Sequence, residues 1–326
     1  MTPLERELRE RIRAEGPISV EAYMKACNAY YYATRDPLGA GGDFVTAPEV
    51  SQMFGEMVGA ALADCWTRAG SPEDAMYVEL GPGRGTLASD ALRVMRGIGF
   101  SGGVHFVEAS PFLHDAQRER HPDARWHPGL RTIPEGRSFL LVANEFFDAL
   151  PVRQFIGGSE RRVTVQSDKL AFDRYGDVVE DSPSREAVAG EIGTVLAARG
   201  GVALIIDYGH ERSAPGDTLQ AVRGHQYAPV LDEPGEQDLT AHVDFESLAN
   251  AARSAGASVT PVVPQGEWLN RLGIGARAAA LANASPERAD ELAAAVQRLA
   301  GRDQMGELFK VMAVHSPGWP APAGFA

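Results

Sequence analysis

Two stretches of this chain combine residue types and spacings that could do chemistry. In the first, Val78-Glu79-Leu80-Gly81-Pro82-Gly83-Arg84-Gly85-Thr86-Leu87, an acid is followed by three glycines at alternate positions. Glycines let the backbone turn sharply and leave room for a ligand to lie against it without Cβ clashes. A helix opening after the turn would present free N–H groups and a positive dipole end, which favours an anionic or carboxylate-bearing ligand. In the second, Asn144-Glu145-Phe146-Phe147-Asp148-Ala149-Leu150-Pro151, two carboxylates and an amide stand beside two phenylalanines. That is an uncommon surface combination, against which stands the plainer reading of a packed corner with solvated acids.

The ligand of the glycine turn is narrowed by what the motif lacks. A dinucleotide fingerprint G-x-G-x-x-G would need a glycine where Thr86 stands, and the third glycine comes one residue early at Gly85. A P-loop would need a Lys followed by Ser or Thr after its second glycine, and none is present. Nicotinamide dinucleotides fit imperfectly and nucleoside triphosphates are disfavoured.

The elements that must position these groups are legible as hydrophobic patterns. Ala75 to Val78 reads as a buried strand and Leu87 to Ile98 as a helix, so strand, turn and helix follow in order. Gly103 to Val107 reads as a second strand ending at Glu108, 29 residues after Glu79. In a βαβ unit an acid at that place can accept from both ribose hydroxyls. Ala109-Ser110-Pro111-Phe112 opens a helix through Arg120. Ala124 to Trp126 forms a short third strand, with Gly129 and Leu130 in the loop where an adenine would be covered. Ser138 to Ala143 is a fourth strand and delivers Asn144–Pro151 at its carboxyl end, the edge where open α/β sheets place ligands. Short alternating segments over 152–172 suggest an inserted hairpin or meander. Ser184 to Ala198 is helical. Gly201 to Ile206 is the strongest strand and ends at Asp207-Tyr208-Gly209-His210. The Gly-, Pro- and charge-rich stretch 211–240 reads as a surface insertion. Asp244 caps a helix through Ala255, Ser258 to Val263 is a strand, Leu269 to Ala282 and Pro286 to Leu299 are helices, and Leu308 to Val314 is a final strand.

Before the glycine turn, Pro3 to Ala14 and Ser19 to Ala29 read as helices, with Ser19 as an N-cap. Tyr30-Tyr31-Tyr32 leads into a loop over Arg35–Gly42. Thr46 to Glu49 matches a capping box with proline in the first turn, starting a helix to about Ala69. The glycine-rich lead-in gives that loop a candidate binding role.

Strand and helix alternate from Met76 onward, which indicates a mostly parallel sheet covered on both faces. At 326 residues, 44% hydrophobic and 23% charged, the chain can bury a large core and is not predominantly disordered. A net charge of −13 argues against nucleic-acid binding through a basic surface and favours approach of cationic substrates. Only Cys27 and Cys65 occur, far apart, so neither a disulfide framework nor a zinc site is expected, and no histidine spacing suggests another metal. The first residues resemble neither a secretory signal nor a transit peptide, and no apolar stretch reaches spanning length. These features give a cytoplasmic expectation without a membrane span.

The motif E-x-G-x-G-x-G after a strand resembles motif I of the class I S-adenosylmethionine-dependent methyltransferases. Five segments, 42–55, 78–87, 107–111, 144–151 and 206–209, together with 238–245 and 305–310, are similar to one family in particular. It is that of the mitochondrial complex I assembly methyltransferase and its bacterial MidA-type relatives, and the match covers nearly the whole chain.

The resemblance implies an α/β, Rossmann-like sheet of seven strands, mostly parallel with an antiparallel last strand, plus a helical N-terminal extension and insertions. It implies S-adenosyl-L-methionine as cofactor. Glu79 would face its ammonium and the turn Gly81, Pro82, Gly83, Gly85 and Thr86 would carry its amino-acid end. Glu108, Ala109 and Ser110 would lie at the ribose, and Thr46, Ser51 and Asn144 would complete the cofactor site.

The mitochondrial relative modifies an arginine of a respiratory complex subunit. If the acceptor is an arginine, its guanidinium is protonated and poorly nucleophilic. Nearby carboxylates would orient it, and Glu145 and Asp148 are the candidate catalytic residues. Tyr208, His210 and His242 are second-rank candidates for shaping the acceptor pocket or taking a proton. A methyltransferase of small molecules or of another protein side chain, and a cofactor-binding assembly factor without activity, are the alternatives. In chain order the expected organisation is an N-terminal extension with a cofactor-covering loop (1–70), a cofactor-binding core (71–210) with its inserted hairpin (152–172), substrate-side insertions and final strands (211–316), and a loose tail (317–326). Acceptor identity and oligomeric state are not legible.

Overall fold

The computed structural model describes residues 1–34, 46–224 and 226–325. The expected loop over Arg35–Gly42 lies outside them. Seven strands form the path of the central sheet: β1 Met76–Leu80, β2 Val104–Val107, β3 Arg125–His127, β4 Phe139–Asn144, β5 Gly201–His210, β6 Ser258–Val259 and β7 Phe309–His315. Their spatial order is β3-β2-β1-β4-β5-β7-β6. All neighbours through β5 are parallel, while β7 runs antiparallel to both β5 and β6. Two strands of two residues each, Val243–Asp244 and Val263–Pro264, extend the sheet beside β5 and β7. The Rossmann-like sheet with an antiparallel last strand is thus the observed one, with these two short additions.

The run read as a buried strand is β1, all five of whose residues are buried. Tyr77 packs into one core and Met76, Val78 and Leu80 into the other. An apolar strand buried on both faces is what a parallel sheet between helical layers requires. The pairing register aligns Leu80 with Val107 and Ala143, and Asn144 with Ile206. Gly81, Glu108 and Glu145 therefore leave the sheet along one edge, level with Asp207, which still pairs with Lys310 of β7. Strand order reverses between β1 and β4, which makes that edge a topological switch point.

The helices of eight residues or more among the described residues are α1 Pro3–Glu15, α2 Val20–Thr34, α3 Gln52–Arg68, α4 Thr86–Gly97, α5 Pro111–Arg120, α6 Pro183–Arg199, α7 Phe245–Ser254, α8 Gln265–Leu272, α9 Ile274–Ala284 and α10 Ala289–Ala300. Helix α3 lies on α4 at backbone distance. A Cβ on Gly59 would stand 2.5 Å from the Ala91 carbonyl oxygen, and one on Gly55 would stand 2.6 Å from Asp90 Cβ. Helix α1, helix α2, the hairpin of Arg162–Gln166 with Lys169–Phe172 and the later insertion share a third core built from Leu4, Leu8, Met24, Val163, Leu219 and Leu239. Segments distant in sequence thus pack as one lobe. The insertion itself is a three-stranded sheet of Gln220–Arg223, Gln226–Ala228 and Asp238–Thr240.

Several expectations are corrected. Tyr30, Tyr31 and Tyr32 belong to α2, which runs on to Thr34. The expected capping box does not form: Thr46 makes no side-chain cap, and Glu49 instead accepts a hydrogen bond from Thr86 Oγ1 at 2.7 Å. The expected single helix is broken after Ala47–Val50 by extended Ser51, whose hydroxyl caps α3 by accepting from Met53 N. The strand expected over Ser258–Val263 is split, since Pro261 lacks the N–H a ladder needs. The helix expected over Leu269–Ala282 starts earlier, at Gln265, and breaks at Gly273 (φ 88°) into α8 and α9. The tail is not loose. Phe325 is buried against Trp268, and the carbonyls of Ala321 and Gly324 accept from Arg68 and Arg271.

Candidate active site

The glycine turn joins β1 to α4. Gly81, Gly83 and Gly85 all have positive φ (61°, 54° and 76°), a backbone that other residues adopt only with strain. Two of the three positions are also sterically closed. A Cβ on Gly85 would meet His121 Cδ2 at 2.8 Å, and one on Gly81 would meet Phe146 Cδ2 at 3.1 Å. His121 Nε2 donates to the Gly85 carbonyl (2.8 Å), so the turn is braced from beneath. Thr86, the first residue of α4, bonds Glu49 and also accepts from Arg120, tying the segment 47–50 to the turn.

Glu79 lies beneath the turn with 2% exposure, and its Oε2 accepts from the Tyr77 hydroxyl (2.7 Å). Burial pushes its carboxyl up to about 8; the Tyr77 bond opposes this, and the Glu108 charge adds to it. A buried acid in this condition would be relieved by a cation. Glu108 stands at the end of β2, where Oε1 accepts from Ser110 N (2.7 Å) and Oε2 from Gln117 Nε2 (3.2 Å). Burial raises its carboxyl too, while the Ser110 and Gln117 donors hold it down. Ser110 uses its hydroxyl to bond the Tyr32 carbonyl (2.7 Å), a tie between α2 and this strand end, and Ala109 is exposed beside it.

At the end of β4, Asn144 Nδ2 donates to Glu145 Oε1 (3.1 Å). Asn144 Oδ1 is buried and has no hydrogen-bond partner among the described residues. A buried orphan acceptor is costly, and a ligand donor would satisfy it. Glu145 is a non-glycine residue at φ 49°, a strained conformation of the kind that clusters at functional sites. Its Oε1 also accepts from Ala47 N (3.0 Å), so the segment beginning at Thr46 is fastened to the β4 edge. Burial, with the Asp148 charge adding to it, pushes the Glu145 carboxyl up to about 7 against the Ala47 and Asn144 donors.

Asp148 is buried, and desolvation raises its carboxyl against the Tyr208 hydroxyl and the Arg185 charge. Tyr208 stacks edge-on to His242, whose ring burial disfavours the charged form. His210 is half-buried at the end of β5, near enough to His242 to add to that effect.

Four residues that hold this site were not singled out from the sequence. Asp207 is fully buried and accepts from the N–H groups of Phe147 (3.0 Å), Asp148 (3.2 Å) and Tyr208 (3.0 Å), which fixes the turn between Glu145 and Asp148. Its carboxyl is raised well above the ordinary range, by burial first and then by Asp148 and Glu145. Arg185, buried on α6, donates to the carbonyls of Asp148 (2.9 Å), Ala241 (2.9 Å) and His242 (2.6 Å). Asn28 bonds the Ala149 and Leu239 carbonyls. Gln117, with no exposed surface, bonds Gly83 and Glu108. Asp207 and Asn28 carried one signal in the sequence, polarity beside an apolar run, while Gln117 and Arg185 stand among polar neighbours and carried none.

Thr46, Glu145 and Asn144 are thus brought together, as are Glu79 and Glu108 with the turn. Ser51 is engaged as a helix cap.

A family model described as "Putative S-adenosyl-L-methionine-dependent methyltransferase" matches residues 57–175 and 159–263. The mitochondrial protein arginine methyltransferase NDUFAF7 of Mus musculus is 36% identical over 96% of this chain and 84% of its own. Its mitochondrial homolog in Drosophila melanogaster is 37% identical over 95% and 84%. A crystal structure from Burkholderia thailandensis, bound to S-adenosyl-homocysteine, superposes with a TM-score of 0.85 at 28% identity, covering 98% of this chain and 93% of that one. The cytoplasmic expectation is overturned by the mitochondrial names of these relatives. That expectation rested on the cysteine content, on first residues unlike a secretory signal or transit peptide and on the lack of a spanning stretch, and cysteine content does not separate one reducing compartment from another.

Proposed function

The chain belongs to the S-adenosyl-L-methionine-dependent methyltransferase family that these relatives represent, and on that footing we propose that it methylates a nitrogen of a protein arginine side chain. The observation that carries this reading is the acidic cluster at the end of β4, where buried Asp148 and Asp207 stand with half-buried Glu145 and desolvation raises all three carboxyls. The guanidinium facing it, Arg185, already gives hydrogen bonds to three backbone carbonyls. Desolvated, mutually repelling carboxylates are relieved by an incoming cation, and a planar guanidinium matches carboxylate geometry.

Cofactor residues fit the same reading. The positive-φ glycines give the turn a backbone that other residues adopt only with strain, Glu79 offers a buried carboxyl that a bound ammonium would ionise, and Asn144 Oδ1 offers a free acceptor. S-adenosyl-L-methionine, when bound, supplies an electrophilic methyl group on a sulfonium. The chain's part is to hold the acceptor nitrogen in line with it. Glu145 and Asp148 orient the guanidinium, and Glu145, pushed up to about 7, is matched to accept the proton that the methylated nitrogen releases. A respiratory complex subunit is the protein substrate that the family resemblance favours.

Extracts incubated with methyl-labelled cofactor, followed by hydrolysis and amino-acid analysis, test the reading. Label in methylarginine is expected. Label confined to a small molecule or to another side chain would overturn it.

A further inference from the structure

Gln117 on α5 connects three parts of the cofactor edge through one side chain. Its Nε2 donates to the Gly83 carbonyl (2.7 Å) and to Glu108 Oε2 (3.2 Å), and its Oε1 accepts from the Trp126 indole N–H (2.7 Å). The amide orientation is fixed by chemistry, because an indole N–H can only donate and a carbonyl can only accept. The glycine turn, the acid closing β2 and the third strand therefore share one buried anchor.

We propose that Gln117 is a positioning residue that aims the Glu108 carboxylate at the ribose diol of the cofactor, and so sets the preference for a ribonucleoside. Glu108 has one oxygen held by Ser110 N and the other by Gln117. A carboxylate gripped at both oxygens cannot rotate, and each oxygen keeps a lone pair for a hydroxyl. The same amide fixes the Gly83 peptide, so the sugar site and the amino-acid site are held in register. The inference rests on reading Glu108 as the ribose acid.

Calorimetry with S-adenosylhomocysteine and its 2′-deoxy analogue separates the possibilities. The wild type should prefer the ribose form by about tenfold or more, as expected for a hydrogen bond to a charged group. Gln117→Leu and Gln117→Glu should reduce that preference toward unity, mainly by weakening the ribose form. Gln117→Glu keeps the acceptor for Trp126 while losing both donors, so it carries the test should Gln117→Leu fail to fold. Equal weakening of both ligands, with the preference intact, would mean that Gln117 only braces the fold, and would overturn the proposal. If the wild type and Glu108→Ala both bind the two ligands alike, the ribose assignment of Glu108 fails, and the proposal with it.

Discussion

Replacing Glu79 with glutamine (Glu79→Gln) should change how the stability of the cofactor-free protein responds to pH. The Glu79 carboxyl titrates near 4.5 in an unfolded chain and is pushed up to about 8 in the folded one, chiefly by burial. Across that window the folded state holds a proton that the unfolded state has released, so stability falls as pH rises, from its full value below 4.5 to its lowest above about 8. A shift of this size corresponds to ~5 kcal/mol at the limit, of which about 2–4 kcal/mol should be visible between pH 5 and pH 8. The substituted amide retains an oxygen for the Tyr77 hydroxyl and has nothing to titrate. The variant should therefore melt higher than the wild type at pH 8 and lose less stability between pH 5 and pH 8. Glu145, which is also raised, contributes a similar slope to both proteins and cancels in the comparison. Scanning fluorimetry across pH provides the measurement. Calorimetry at pH 7 in buffers of different ionisation enthalpy adds a second one. If the cofactor ammonium meets Glu79, binding should release a fraction of a proton from the wild type that the Glu79→Gln variant does not release. Parallel melting curves for the two proteins would show that Glu79 carries no buried proton, and would remove the basis for its pairing with a cation.

Two further outcomes follow from the site and the tail. Turnover should rise with pH through an apparent value near 7 as Glu145 ionises, and Glu145→Gln should bind cofactor normally but lose about 100-fold or more in kcat, with that rise absent; unchanged turnover would remove Glu145 from the reaction. Phe325→Ala should cost about 3 kcal/mol of stability and shift Trp268 emission to the red, since the two rings pack at 6.4 Å; unaltered melting and emission would show that the tail contributes nothing to the core.

What was legible in the sequence is what is encoded locally. Strand β1 is a short apolar run, the turn is three glycines, and Glu108 and Asn144 fall where strands end, so sheet-edge logic located them. The parts that escaped depend on partners far along the chain. Thr46 and Glu49 match a local capping signature, yet Glu49 finds Thr86, 37 residues away. Gln117 looks like any polar residue of an exposed helix until Trp126 and Gly83 close over it. Arg185 and Asp207 are charged residues whose burial is decided by packing between α6, the β5 end and the later insertion. No local pattern announces that the N-terminal helices share a core with residues beyond 210.

The meeting of α3 and α4 through Gly55 and Gly59 bears on how a spent nucleoside gets out. With main chain resting on main chain there, neither helix can slide without collision. One of these helices receives the segment capped at Ser51, and the other leaves the turn at Gly85. That flank therefore behaves as a fixed jaw. The N-terminal helices and the three-stranded insertion, by contrast, hang together on a smaller core of their own.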